Sequence, residues 1–234
     1  MMNTPKYDIM SVSEKNVLAH SASGEWRSWI EDSWYNKFVT DYCKNRNGDA
    51  MKTLILNGSP RINGDTSSLI KKFTEKKIDE YKIVDAYRCN ISACLDCRNC
   101  WKNNGCSIND EMQDIYKYIQ ECDNILIASP LYFSELTGKL LDVGSRLQTY
   151  FCARFFRNEE PVAKSKKGAV ILVGGGDGHI DKAYSTACTL LHHMNCSNIH
   201  EVVYSHNTNT RPAINDKNTL MGLNSIYDFF MNNE

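Results

Sequence analysis

From residue 52 onward the chain alternates strand-like apolar runs with segments of helical period, and this alternation constrains its fold most strongly. Residues 52–57, 82–87, 124–129, 169–173 and 199–204 read as strands. Residues 66–77, 110–122, 137–155, 181–194 and 217–231 read as helices. Within 110–122, Met112, Ile115, Tyr116 and Ile119 recur at three- and four-residue steps and share one face. Residues 124–129 instead form a continuous apolar run, as in a strand covered on both faces. Five strands separated by helices predict an α/β three-layer sandwich around a five-stranded parallel sheet. In such sheets a ligand sits beyond the strand C-termini, where strand order reverses. The loops 58–67, 130–137 and 174–179 are therefore expected to line the site.

Residues 1–50 break the rhythm. Trp26, Trp29, Ile30, Trp34 and Phe38 follow helical spacing there. The expected organisation is an N-terminal arm, 1–50, with at least one amphipathic helix, followed by the α/β domain at 51–234. The arm is expected to pack on the domain or on a neighbouring subunit. A net charge of −1 gives no sign of a nucleic-acid or membrane surface. No stretch approaches the ~20 apolar residues of a membrane span. The polar start, Met1 to Tyr7, leads into no apolar signal core, so the protein is expected in the cytoplasm. Stable disulfides are rare in that reducing compartment, and clustered cysteines there bind metal or do redox chemistry.

The first loop carries phosphate chemistry. Gly58-Ser59-Pro60-Arg61 follows the first strand, and Asn63-Gly64-Asp65-Thr66-Ser67 opens the helix. A phosphate at a helix start meets unpaired backbone N–H groups and the positive end of the helix dipole. Ser59, Thr66 and Ser67 add hydroxyls, Arg61 adds a guanidinium, and glycine lets the backbone come close. Spacing excludes a triphosphate loop, because no Gly-x4-Gly-Lys-Ser/Thr occurs. Gly174-Gly175-Gly176-Asp177-Gly178-His179 likewise fails the dinucleotide pattern at its last position. A plain strand–turn–helix joint with polar caps competes with this reading. In the second loop, Tyr132 and Phe133 follow Pro130 and Leu131 and offer flat surfaces to a ring system, or else fill core.

Leu54 to Arg61 together with Gly64-Asp65-Thr66-Ser67 resembles the FMN loop of the NADPH-dependent FMN reductase and flavodoxin-like superfamily. The likeness extends through Ser129-Pro130-Leu131-Tyr132-Phe133 and Gly138-Lys139-Leu140-Leu141 and covers roughly residues 52–230. It implies a flavodoxin-like fold and FMN as cofactor. The flavin phosphate would lie on Ser59, Arg61, Asn63, Gly64, Thr66 and Ser67. Pro130, Leu131, Tyr132 and Phe133 would lie along the ribityl chain and ring, and Gly174, Gly175 and Asp177 would close over it. Where the family has Gly-Asn-Thr, this chain has Gly64-Asp65-Thr66. A carboxylate beside a phosphate is repulsive unless it points away, for instance into a helix cap.

Cys94, Cys97, Cys100 and Cys106 form a Cys-x2-Cys-x2-Cys-x5-Cys segment. Two successive x2 spacings are those of ferredoxin-type [4Fe–4S] sites, and Gly105 can turn the chain toward Cys106. Zinc more often joins two Cys-x2-Cys knuckles across a longer gap. A cluster, zinc and bare thiols all stay open on spacing alone. The segment resembles the compact motif of iron–sulfur flavoproteins, a branch of the same superfamily, which implies a [4Fe–4S] cluster on these four cysteines. Similar segments followed by an acidic residue and methionine, as in Asp110-Glu111-Met112, also occur in relatives without a cluster. The family further implies a homodimer or homotetramer.

The expected function is an FMN-dependent oxidoreductase. It would pass electrons from NAD(P)H, or from a reduced carrier such as ferredoxin, to a small-molecule or protein acceptor. A non-enzymatic flavodoxin-like electron carrier is the alternative, and a flavin-free interaction protein is a third. Flavin chemistry needs no acid or base from the protein, so no side chain is singled out for catalysis.

Overall fold

The computed structural model describes residues 50–232. The expected N-terminal arm and its amphipathic helix lie outside the described residues, apart from Ala50. The elements run β1 (Lys52–Asn57), α1 (Asp65–Thr74), β2 (Glu80–Asp85), α2 (Met112–Glu121), β3 (Asn124–Pro130), α3 (Gly138–Ser145) and α4 (Gln148–Arg157). They continue with β4 (Lys166–Val173), α5 (Asp181–His193), β5 (Cys196–Ile199), β6 (Val203–Ser205) and α6 (Lys217–Met231). Short 3-10 turns occupy Asn99–Trp101 and Ala213–Asn215.

The strands are all parallel, in the order β2-β1-β3-β4-β5, with β6 also paired to β4. This is the doubly wound order whose switch point lies between β1 and β3. The expected single last strand, 199–204, is two strands sharing one sheet position. Gly168 faces Ile199 while Ile171 faces Val203, so three residues (200–202) oppose two (169–170). That extra residue is a bulge, which a hydrophobic pattern does not announce.

Side chains alternate across the sheet and build two cores. Leu54, Leu56, Ile125, Ile127, Val170 and Leu172 pack with Met112, Ile115 and Ile119 of α2, Leu140 and Val143 of α3, and Ala183, Ala187 and Leu191 of α5. Ile55, Leu126, Ala128, Ala169, Ile171 and Val173 pack with Leu69, Ile70 and Phe73 of α1 and Leu223, Ile226 and Phe230 of α6. Each fully buried aliphatic or aromatic side chain contributes about 1.5–3 kcal/mol. The unbroken apolar character of β3 and β4 follows directly, because both of their faces are covered.

The expected helix 137–155 is two helices. The amides of Arg146 and Leu147 turn back to the carbonyls of Val143 and Gly144, three residues away rather than four. This tight turn ends α3 and carries the Arg146 side chain into the interior, where its exposure is 0%.

Candidate functional site

An open cleft of about 210 Å³ lies at the C-terminal ends of β1, β3 and β4. Its walls come from Ser59 to Arg61, Gly64 to Thr66, Pro130 to Tyr132, and Val173 with Gly175. A fourth loop adds Thr208 and Asn209.

The floor is the β1–α1 loop. Asn57 Oδ1 accepts the Ser59 amide at 2.9 Å. Ser59 Oγ donates to the Arg61 carbonyl at 3.0 Å, and Ser67 Oγ donates to the same carbonyl at 2.8 Å. Arg88 ties the outside of the loop through the Pro60 carbonyl at 2.8 Å. The carbonyls of Pro60 and Arg61 are thus both engaged. The amides of Asp65, Thr66 and Ser67 find no acceptor among the described residues. These are the orphan donors of a helix start and the positive end of its dipole. Gly58 is required by packing, since a Cβ there would stand 2.9 Å from both Leu140 Cδ2 and Ser129 Oγ.

Asp65 does not cap its helix, contrary to expectation: the N-cap is Gly64 and carries no side-chain hydrogen bond. Instead Asp65 Oδ1 accepts the Ala213 amide at 2.7 Å. That bond ties the carboxylate to the 3-10 turn after β6, while Asp65 still lines the cleft.

The β3–α3 loop opens with a tight turn in which the amides of Tyr132 and Glu135 each donate to the other's carbonyl, at 3.0 and 3.1 Å. Its central residues, Phe133 (φ 54°) and Ser134 (φ 60°), are both left-handed. A bulky residue in that region is strained. Phe133 is also fully exposed, so burial does not offset the strain. The β4–α5 loop is held by Tyr204, whose hydroxyl donates to the Gly178 carbonyl at 3.1 Å. A Cβ at Gly174 would lie 2.6 Å from the Tyr204 hydroxyl, and one at Gly175 would lie 2.8 Å from Asn209 Nδ2. These two contacts fix the glycines where the chain passes closest to the fourth loop.

Of the thirteen residues expected at a flavin site, Ser59, Arg61, Gly64, Thr66, Pro130, Leu131, Tyr132 and Gly175 line the cleft. Ser67 lies beside a separate shallow groove with Ile62 and Ile83, although its amide belongs to the orphan set. Asn63, Phe133 and Asp177 are exposed and Gly174 is buried behind the wall. Sequence reasoning missed Thr208 and Asn209. They follow β6 at the C-terminal edge of the sheet, so the rule that named three loops would have named this one too.

The four cysteines line a second, much smaller cavity, of about 20 Å³, together with Trp101, Arg146 and Thr149. Asp96 (φ 47°), Arg98 (φ 59°) and Gly105 (φ 80°) curl the segment around it. Left-handed residues of this kind turn backbone N–H groups inward, as in many iron–sulfur loops. Trp101 stacks on Phe156 at 4.3 Å, and Arg157 donates to the Cys100 carbonyl, so the segment is clamped to α4. The sulfurs differ in surroundings. Cys97 shares a hydrogen bond with Ser107 Oγ at 3.3 Å. Arg146 Nη2 donates to Cys106 Sγ at 3.4 Å. Burial, and then the neighbouring Cys152 thiol, pushes the Cys100 thiol up to about 11. Among the described residues no three His, Cys, Asp or Glu side chains converge on a single ion.

Beneath this cavity Asp110 and Arg146 form a buried ion pair at 2.6 Å. Burial raises the Asp110 carboxyl, but hydrogen bonds from Arg146 and from the amides of Ser92 and Met112 outweigh it and hold it below the usual carboxylate range.

The model of the NADPH-dependent FMN reductase family matches residues 51–210. An iron–sulfur flavoprotein of Methanocaldococcus jannaschii is 28% identical over 53% of this chain and 62% of its own length. One from Clostridioides difficile is 38% identical over 36% of this chain and 40% of its own length. The chain thus spans less than two thirds of either curated relative. Among solved structures, the NAD(P)H:quinone oxidoreductase of Methanothermobacter marburgensis superposes with a TM-score of 0.58 at 18% identity, covering 80% of this chain and all of that one. An FMN-dependent NADH-azoreductase from Bacillus anthracis, solved with FMN, superposes with a TM-score of 0.52 at 13% identity, covering 78% of this chain. The two structural likenesses carry the flavodoxin-like fold, and the match over 51–210 carries the family: the chain belongs to the NADPH-dependent FMN reductases, a family of flavin oxidoreductases.

Proposed function

We propose that this protein is an FMN-dependent oxidoreductase that takes electrons from NAD(P)H and delivers them to a small-molecule or protein acceptor. The observation that carries the reading is the cleft at the β1/β3 switch point, floored by the unpaired amides of Asp65, Thr66 and Ser67. A phosphate monoester fits those donors. Thr66 supplies a hydroxyl beside them, and the exposed Arg61 supplies a charge. Pro130 to Tyr132 form the wall against which a ring system would lie, with Tyr132 and Phe133 at the rim. Gly175, backed by Asn209, leaves room on the opposite side. FMN, when bound, accepts a hydride equivalent and gives up electrons singly or in pairs. The protein's part is to hold it, exclude water and present one face to the donor.

We further propose that Cys94, Cys97, Cys100 and Cys106 hold a [4Fe–4S] cluster. Four thiols around one cavity are the donor set this group takes. A cubane binds one thiolate per iron, so its sulfurs surround a cage instead of meeting at one ion as zinc requires. The curated relatives named iron–sulfur flavoproteins support the same reading.

The test is a spectrum of protein purified without oxygen, with iron and sulfide assays on the same sample, followed by addition of NADH or NADPH. Flavin absorbance that bleaches with nicotinamide is expected, with about four irons per chain. Bound flavin that neither nicotinamide reduces would leave only the electron-carrier alternative, fed by a reduced protein such as ferredoxin. Protein that stays colourless with added FMN would overturn the proposal.

A further inference from the structure

Arg146 heads the fully buried large side chains, and its place in the fold is unusual. A buried guanidinium is costly unless each of its N–H groups is used. Nη1 donates to Asp110 Oδ2 at 2.6 Å and to the Ser92 carbonyl at 2.9 Å. Nη2 donates to the Ile108 carbonyl at 3.3 Å and to Cys106 Sγ at 3.4 Å. Nε has no partner among the described residues. Asp110 and the two carbonyls would suffice for a purely structural ion pair. The bond to sulfur is in excess of that need, and it sets the charged edge of Arg146 against the cavity that all four cysteines line.

We propose that Arg146 is a positioning residue that fixes the Cys106 sulfur and raises the reduction potential of the cluster proposed at these cysteines. This inference rests on the cluster reading above. Reduction adds one electron to the cluster and breaks no bond. N–H donation to a ligating sulfur, and a nearby positive charge, both favour the more negative reduced form. Arginine stays protonated at all accessible pH, so no proton accompanies the electron. Lysine in its place keeps the charge but loses the fork that reaches Asp110 and Cys106 together.

The experiment is a redox titration, followed by electron paramagnetic resonance, of protein loaded with iron and sulfide without oxygen. Wild type is compared with R146M, R146K and the double variant D110N/R146M. The double variant removes both charges of the pair and so escapes the orphaned carboxylate that threatens the folding of R146M. R146M and the double variant are expected to bind about four irons and to lower the one-electron equilibrium constant at least tenfold, about 59 mV. R146K is expected to recover part of that shift. A double variant that is folded and iron-loaded yet has the wild-type potential overturns the role of Arg146 and leaves the cluster reading standing. Wild type that takes up no iron overturns the cluster reading, and this inference falls with it.

Discussion

Phe133 combines a left-handed backbone (φ 54°) with a fully exposed ring. Left-handed geometry costs a residue with a Cβ about 1–2 kcal/mol. Glycine would relieve that strain but add about 0.5–1 kcal/mol of chain entropy to be lost on folding. F133G should therefore leave stability unchanged within about 1 kcal/mol while weakening FMN binding or nicotinamide oxidation. Urea melts beside a flavin fluorescence titration check both halves, and unchanged function would make Phe133 a mere turn residue. Asp65 gives the converse case. Asn at this position keeps an oxygen for the Ala213 amide and removes a negative charge from the cleft wall. D65N should tighten FMN binding by up to about tenfold, about 1.4 kcal/mol. An affinity equal to wild type would show that the charge is already screened from the ligand.

Asp110 yields a pH signature at the same scale. Its folded pKa is depressed, so its contribution to stability is complete above the unfolded value, about 3.9, and is lost as pH falls through the folded value. D110N leaves Arg146 buried without its counter-charge and should cost about 3–5 kcal/mol at neutral pH. The gap between wild type and D110N in urea melts should stay constant from neutral pH down to about 5 and narrow below about 4. A gap that does not depend on pH would show that the carboxylate charge contributes nothing.

At the scale of elements, the cysteine segment is held mainly from outside itself. The Trp101–Phe156 stack joins it to α4, and an aromatic pair of this kind is worth about 0.5–1.5 kcal/mol beyond its area. F156A should speed hydrogen exchange at Trp101, Lys102 and Asn103, whose amides close the 3-10 turn on Arg98 and Asn99. The amides of β1 and β3 should not change. Acceleration spread evenly over the domain would mean that Phe156 supports the whole fold and not this loop. The same scale shows what the sequence made legible. Hydrophobic period located β1, β3, α2, α5 and α6 to within a few residues, because burial on one or two faces writes itself directly into composition. The bulge at 200–202 and the break at Arg146 escaped, because each is set by a partner distant in sequence. Arg146 reads as one more polar residue in a helix until Asp110 and Cys106 are brought to it by the fold. The phosphate loop was legible because its chemistry is local, whereas Thr208 and Asn209 enter the cleft only once β6 is placed beside β4.

At the scale of the whole molecule, the two cores extend, among the described residues, from Leu54 to Phe230. Among the described residues, the cleft and the cysteine cavity are lined from within that same range. A domain of this size buries enough surface to fold by itself. A chain of residues 51–234 should therefore unfold in one cooperative step and bind FMN with the affinity of the full chain. Calorimetry and a flavin titration on both proteins make the comparison, and light scattering adds the assembly state. Equal melting and equal affinity with a changed number of subunits would assign residues 1–50 to contacts between subunits. Equal values throughout, the number of subunits included, would free them from both folding and assembly. A fragment that melts over a broad range or fails to bind FMN would show that the cores and the cleft depend on the first fifty residues, and the division of the chain at residue 50 would have to be abandoned.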